Sequence, residues 1–237
     1  MKLGFQYGTR YIYFNTVFKD RKTMSIEVEP NGEVNVISPL GLSEIEIINK
    51  VKSKAKWIVQ KQYEVKSINV NKINREAVSG ESYLYLGRNY TLLLKEDNES
   101  KEISVKLFRG KFIVTTYTKD QEKIKKVLEN WYRDKTLSRI KERVNYYKQY
   151  FNINPSDVKV KEQKKRWASC TSNNELLFNW RCSMAPANIL DYIVVHEMCH
   201  MLYKDHSKEF WDKVSSVMPD YEPRKEWLKN NGIKLDI

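Results

Sequence analysis

Asp191-Tyr192-Ile193-Val194-Val195-His196-Glu197-Met198-Cys199-His200 is apolar on most faces, yet carries two histidines framing a glutamate. Ala185-Pro186 precedes it, and proline suits the first turn of a helix. The stretch therefore predicts a helix running to about Tyr203. Residues four apart on a helix differ by about 40° in azimuth and ~6 Å in rise. His196 and His200 can thus offer two imidazoles to one cation from the same face. Glu197 lies about 100° round, near the cation but off the ligand line, where it can deprotonate a water that the cation activates. Burying such a glutamate without a role or a partner would cost several kcal/mol. This pattern points to a zinc (Zn2+) hydrolase with Glu197 as the catalytic general base.

Catalytic zinc takes three protein ligands and keeps one position open. The chain has three histidines, and the third is His206. It lies too far along to share the helix face, so the helix must end near Lys204-Asp205 and turn back. Asp220, Glu222 and Glu226 are alternative third ligands, but His206 leaves no histidine unexplained. Cys199 points to another face than the histidines and reads as core.

Around this stretch the second half reads as a long helix, short strands and more helices. Ile124, Val127, Leu128, Trp131, Ile140, Val144, Tyr147 and Phe151 share one face from about Asp120 to Phe151. Asn154-Pro155 breaks that helix. Val158–Val160, Arg166–Cys170 and Leu176–Trp180 are strand candidates. Ser207 can cap a helix carrying Phe210, Trp211 and Val214, and Pro223 to Asn231 is a last one, stopped by Gly232.

The first half reads mainly as β. Met24, Ile26 and Val28 alternate with polar residues, Asn31-Gly32 follows, and Val34 and Val36 alternate again, which is a hairpin signal requiring positive φ at the turn. Arg10–Phe14 reads as an earlier strand. Tyr83–Leu86 with Tyr90–Leu94, and Ile103–Phe108 with Lys111–Thr116, read as two further hairpins. One helix interrupts them, started by a Ser43/Glu46 capping box and followed by Ile45, Ile48, Val51, Ala55 and Ile58. Asn69–Ser79 is a polar connector, and no internal repeat is visible. The expected fold class is α+β, with a β-rich domain over 1–117 and a metal-dependent hydrolase domain over 118–237.

Composition bounds the rest. The 237 residues include 42 basic and 30 acidic ones, a formal charge of +12. The excess is spread evenly, with 19 basic and 13 acidic residues in 1–117. Nucleic acid is thus an allowed partner, although no reading motif such as C2H2 spacing supports it. Three cysteines without CxxC spacing argue against a disulfide framework or thiolate zinc site. Neither a signal peptide nor a membrane span is evident, so the expected location is cytoplasmic.

The string Arg166-Trp167-Ala168-Ser169-Cys170, with Asn179-Trp180-Arg181, Asp191–Glu197, His206-Ser207, Phe210-Trp211 and Pro219-Asp220-Tyr221, resembles the YgjP-like metallopeptidase family. It is more distantly similar to the SprT-like proteases. The resemblance implies a zincin-type domain in which His196, His200 and His206 bind zinc and Glu197 is catalytic. Ala168 departs from the glycine usual in the family's WGSC string. The 1-5-11 histidine spacing also matches metzincins, but Tyr203 stands where they have a turn glycine. One branch of the family is described as a UTP pyrophosphatase. The substrate expected is therefore a polypeptide, with a nucleoside triphosphate as the alternative and a nucleic-acid-associated protease as a third reading. Lys161, Lys164, Lys165 and Arg166 would suit a triphosphate, but GxxxxGK[ST] is absent. Trp167–Cys170 reads either as a substrate-pairing wall or as core. Arg181, Tyr203, Tyr221 and Arg224 are candidates for stabilising an oxyanion.

Overall fold

The computed structural model describes residues 1–29, 31–67, 75–163 and 166–237. Lys164, Lys165 and most of the polar connector lie outside the described residues. The architecture is α+β, and the chain divides into two compact units, Met1–Asn71 and Lys72–Ile237.

The first unit opens with β1 (Lys2–Tyr7) and β2 (Arg10–Lys19), an antiparallel hairpin turned at Gly8. β1 is absent from the sequence reading, whose first strand is Arg10–Phe14. β3 (Ser25–Val28) and β4 (Val34–Pro39) form the expected hairpin, but of Asn31 and Gly32 only Gly32 has positive φ. β2 and β4 pair in parallel, giving the order β1-β2-β4-β3. The Ser43/Glu46 capping box starts α1 (Glu44–Lys52) as expected. Ser53-Lys54 then divides the predicted single helix, and α2 (Ala55–Ser67) follows. Phe5, Ile12, Phe14, Val34 and Val36 from the sheet meet Ile47, Val51, Ala55 and Ile58 from the helices. Ile47 takes the core place expected for Ile45, which is 72% exposed.

The second unit repeats the four-stranded plan. β5 (Ser82–Tyr85), β6 (Arg88–Glu96), β7 (Ser104–Phe108) and β8 (Lys111–Thr116) run β5-β6-β8-β7, again antiparallel, parallel, antiparallel. The repetition is one of topology, invisible in residue identities. Asp120 caps α3 (Gln121–Tyr147), its side chain accepting from Glu122 and Lys123 N–H. The buried face of α3 is Ile124, Leu128, Tyr132, Thr136, Ile140, Val144 and Tyr147. Its N-terminal half shares a core with Tyr83, Leu92, Phe112 and Val114. The second sheet therefore belongs with α3, and a boundary at 117/118 would cut through that core. The observed division falls at Asn71/Lys72.

The C-terminal half of α3 shares a second core with α4 (Ala187–Cys199) and α5 (Lys208–Val217). β9 (Asp157–Lys161), β10 (Ala168–Cys170) and β11 (Glu175–Asn179) form a small mixed sheet, order β10-β11-β9, with β10 at an edge. α6 (Tyr221–Asn231) packs on α4. Long-range polar bonds lock these pieces. The Thr136 hydroxyl bonds Trp180 O at 2.6 Å and Ser183 Oγ at 2.7 Å. Arg143 donates twice to Asp191, to Oδ1 at 2.6 Å and Oδ2 at 3.0 Å, tying α3 to α4. Leu86 and Gly87 N–H donate to Ser183 and Met184 carbonyls, docking the β5–β6 turn just before α4. Gly87 has φ +76°, and a Cβ there would meet Pro186 at 2.8–3.1 Å, so this close approach requires glycine. Among the described residues no helix is long and apolar enough to cross a membrane.

Candidate metal centre

α4 is buried nearly all round: Ile189, Leu190, Tyr192, Ile193, Val194, Val195, Glu197, Met198 and Cys199 are buried. It ends at Cys199, with His200 as its C-cap, several residues short of the expected end near Tyr203. The chain tightens there, Leu202 and Tyr203 N–H both donating to Cys199 O. This early turn brings the Tyr203 carbonyl back to the His200 ring, 2.9 Å from Nδ1. Ser207 then caps α5, accepting from Phe210 N–H at 3.4 Å. His206 is thus held one residue before a helix cap and directed back to α4.

The three imidazoles converge. Each offers one nitrogen, and these nitrogens all lie within 4.8 Å of one another. His196 Nε2 and His206 Nε2 stand 3.1 Å apart. The Tyr203 carbonyl takes the Nδ1–H of His200, which leaves the Nε2 lone pair of that ring for a cation, the usual device by which a carbonyl sets a ligand's tautomer. Burial, then the neighbouring His200 and His206 rings and Lys225, holds the His196 pKa down at about 3. Burial, His200 and Lys225 also lower that of His206, against a small opposing effect of Asp205. Neutral rings with inward lone pairs are what a divalent ion needs from histidine. The buried Nδ1 of His196 has no hydrogen-bond partner. The donor set, three imidazoles and no thiolate, fits a borderline ion such as zinc with an open position.

Glu197 is 6% exposed, and its Oε2 is buried without a hydrogen-bond partner. Desolvation raises its pKa to about 8, opposed weakly by the Arg166 charge. A carboxyl poised near neutrality can both take and give a proton.

Aromatic rings floor the cluster. Phe210, fully buried, lies 4.6–5.0 Å from all three imidazole centroids. Trp211 stacks on His206 at 5.6 Å and on Tyr221 at 5.3 Å. The Lys225 ammonium sits 3.9 Å from the Trp211 ring centre. This stack was not foreseen as part of the site. Its sequence signals are the Phe210-Trp211 and Tyr221 strings of the family resemblance and two spacings: Phe210 follows His206 by four, and Lys225 follows Tyr221 by four.

The other candidates are spent elsewhere. Arg181 is paired with Glu162 and Asp236, and Arg224 with Asp220 and the Asn188 carbonyl. Tyr203 contributes its carbonyl, and the Tyr221 hydroxyl donates to Glu222 at 3.4 Å. Glu226 accepts from Asn230. None of the three carboxylates weighed against His206 joins the cluster, whose members among the described residues are the three histidines. Cys199 is core, as expected. Trp167 packs partly in the core, its ring against Gly232, while β10 beyond it forms a sheet edge.

Residues 22–231 match the profile of the YgjP-like, metallopeptidase domain. The chain belongs to that family. This YgjP-like protein is therefore a metal-dependent peptidase by descent. No curated protein matches it. Two solved metallopeptidase zymogens align with part of it. Abylysin of Pyrococcus abyssi is 21% identical at a TM-score of 0.36, covering 40% of this chain and 94% of its own. Jannalysin of Methanocaldococcus jannaschii is 27% identical at 0.33, covering 38% of this chain and 91% of its own.

Proposed function

We propose that this chain is a zinc-dependent peptidase in which His196, His200 and His206 hold the cation and Glu197 is the general base. The observation that carries the reading is the convergence of three imidazoles beside a buried carboxylate with an unpartnered oxygen. A bound zinc ion supplies Lewis acidity, acidifying water and polarising the scissile carbonyl. Glu197 accepts the attacking water's proton at Oε2 and later delivers it to the departing amine. Its burial suits both transfers, because the raised proton affinity makes the carboxylate a stronger base and the carboxylic acid a reservoir near neutral pH. The β10 edge offers unpaired backbone groups that an extended polypeptide can join as a further strand.

The test is Glu197→Gln, which keeps the shape and removes the base. It should retain zinc stoichiometrically while losing at least about a hundredfold in peptide cleavage rate. Wild-type activity in that variant would refute the assignment. The phosphoanhydride reading rests on the family resemblance and on basic side chains near β10, of which Lys161 and Arg166 are exposed. Incubation with UTP and, separately, with an unfolded protein separates the two, and cleavage of the protein alone is expected.

A further inference from the structure

A cation stands beside the metal centre without an acidic partner. Lys225 lies on α6, which packs on α4. The residue before it is pinned: Arg224 donates to the Asn188 carbonyl at 2.9 Å and twice to Asp220 Oδ2. The Lys225 ammonium sits over the Trp211 ring, 3.9 Å from its centre. Trp211 in turn stacks on His206 at 5.6 Å and lies 5.8 Å from His196. One indole thus touches both the ammonium and two ligand rings. The charge of Lys225 reaches His196 and His206, lowering the proton affinity of each. Carboxylates are close by: Asp205 acts on His206, and Asp212 and Glu222 act on Tyr221. Glu222 accepts from the Tyr221 hydroxyl, and Glu226 pairs with Lys229. Among the described residues none of these carboxylates is in ion-pair contact with Lys225. Lys225 and His206 are both exposed, and Trp211 and Tyr221 are half-buried, so this rim of the centre is open to solvent.

An ammonium on this rim repels the dication that the histidines would hold, and an anion placed between them turns that repulsion into attraction. An ammonium resting on an indole still has N–H groups directed away from the ring. We propose that Lys225 is a specificity-determining residue that takes a carboxylate of the substrate next to the scissile bond, from an Asp or Glu side chain or from the chain terminus. The Trp211 and Tyr221 rings offer the carbon stem of that residue an apolar wall. The formal charge of +12 favours encounter with acidic polypeptides. The inference rests on the peptidase reading and adds a substrate class to it.

The test is digestion of an unfolded protein by the zinc-loaded full chain, with the cuts mapped by mass spectrometry, then synthetic peptides built on the strongest cut. Cuts should gather where Asp, Glu or the chain terminus adjoins the broken bond. Peptides with Asp against Asn there, and with a free against an amidated terminus, tell the two carboxylates apart. The favoured carboxylate should raise kcat/KM about tenfold over its neutral counterpart, chiefly through KM and less so at high salt. The same ratio should appear in peptide binding to the Glu197→Gln chain, read by fluorescence anisotropy. Lys225→Met should bring the ratio near one, Lys225→Arg should keep most of it, and Lys225→Glu should turn the preference toward Lys or Arg. A purely structural Lys225 would instead lower the thermal transition or the zinc content and leave the ratio alone. A ratio near one in the wild type, or an unchanged ratio in Lys225→Met and Lys225→Glu, would overturn the proposal and leave the peptidase standing. Lys225-dependent hydrolysis of UTP without any carboxylate preference on peptides would overturn it too. Failure of the zinc-loaded wild type to cut any polypeptide would overturn the peptidase reading, and this inference with it.

Discussion

In the first unit β1-β2-β4-β3 backs onto two short helices; in the second, β5-β6-β8-β7 backs onto one helix of 27 residues. The strand plan is the same, and the consequences differ. The first sheet closes a small aliphatic and aromatic core and leaves tyrosines outside. The second sheet buries Tyr83, Tyr85, Leu92, Phe112 and Val114 under a helix twice as long as its own needs, and the remaining length of α3 carries the metal-site helices. Strand order alone thus says little about function. What matters is whether the covering helix reaches beyond its sheet.

Phe112→Ala should break that difference most severely. Phe112 is fully buried, with Tyr83, Tyr90, Trp131 and Tyr132 rings 4.8–6.2 Å away. Its loss should cost about 3–5 kcal/mol and release bound zinc more easily, read by calorimetry alongside metal retention. Phe14→Ala, of similar cost, should lower only the first unit's transition and leave zinc in place. Equal zinc loss in both variants would mean that the units do not melt separately.

Metal removal is the complementary experiment. A chelator should lower only the transition of the second unit, by up to about 4 kcal/mol where zinc had stood at a thousand times its Kd. Two transitions falling together would contradict the division.

A smaller effect should follow at Trp211, whose ring stacks on His206 while His200 is steadied by a hydrogen bond. Trp211→Ala should weaken zinc binding by about tenfold, and Trp211→Phe by less, in competition with a chromogenic chelator. Unaltered affinity in the alanine variant would reduce Trp211 to packing.

The smallest effect is electrostatic. Desolvation tends to raise the pKa of Glu162, but hydrogen bonds from Trp180 Nε1 and Arg181 outweigh it and hold the carboxyl below 4.5. A depressed folded value contributes stability above the unfolded pKa, and that contribution is lost as pH falls through the folded one. Glu162→Gln should therefore flatten the decline of the second unit's transition below about pH 4.5 and leave the first unit's unchanged. Parallel acid profiles of variant and wild type would remove Glu162 from the account.

Legibility followed the range of the interaction. The hairpins at Gly32, Gly87 and Gly110, the Ser43/Glu46 box and the Ser207 cap are contacts between residues a few apart, and all were readable. β1 was not: Gly4 leaves room for the Tyr11 ring of the next strand, a contact invisible before the strands pair. Along α3, Trp131 packs against the core as read, but Tyr132 and Thr136, which were not read as core, are fully buried, Thr136 because its hydroxyl finds partners 44 and 47 residues away.

The chemistry of the centre was written locally: His196 and His200 stand one helical turn apart with Glu197 between, and a four-residue relation needs no knowledge of the fold. The arrangement around it was not. The turn after Cys199 that recruits His206, the Phe210 and Trp211 rings beneath it, Lys225 from α6, and the parallel joins β2–β4 and β6–β8 all depend on distant segments packing together. Those contacts are won by burial summed over the whole core, which no short window of residues contains.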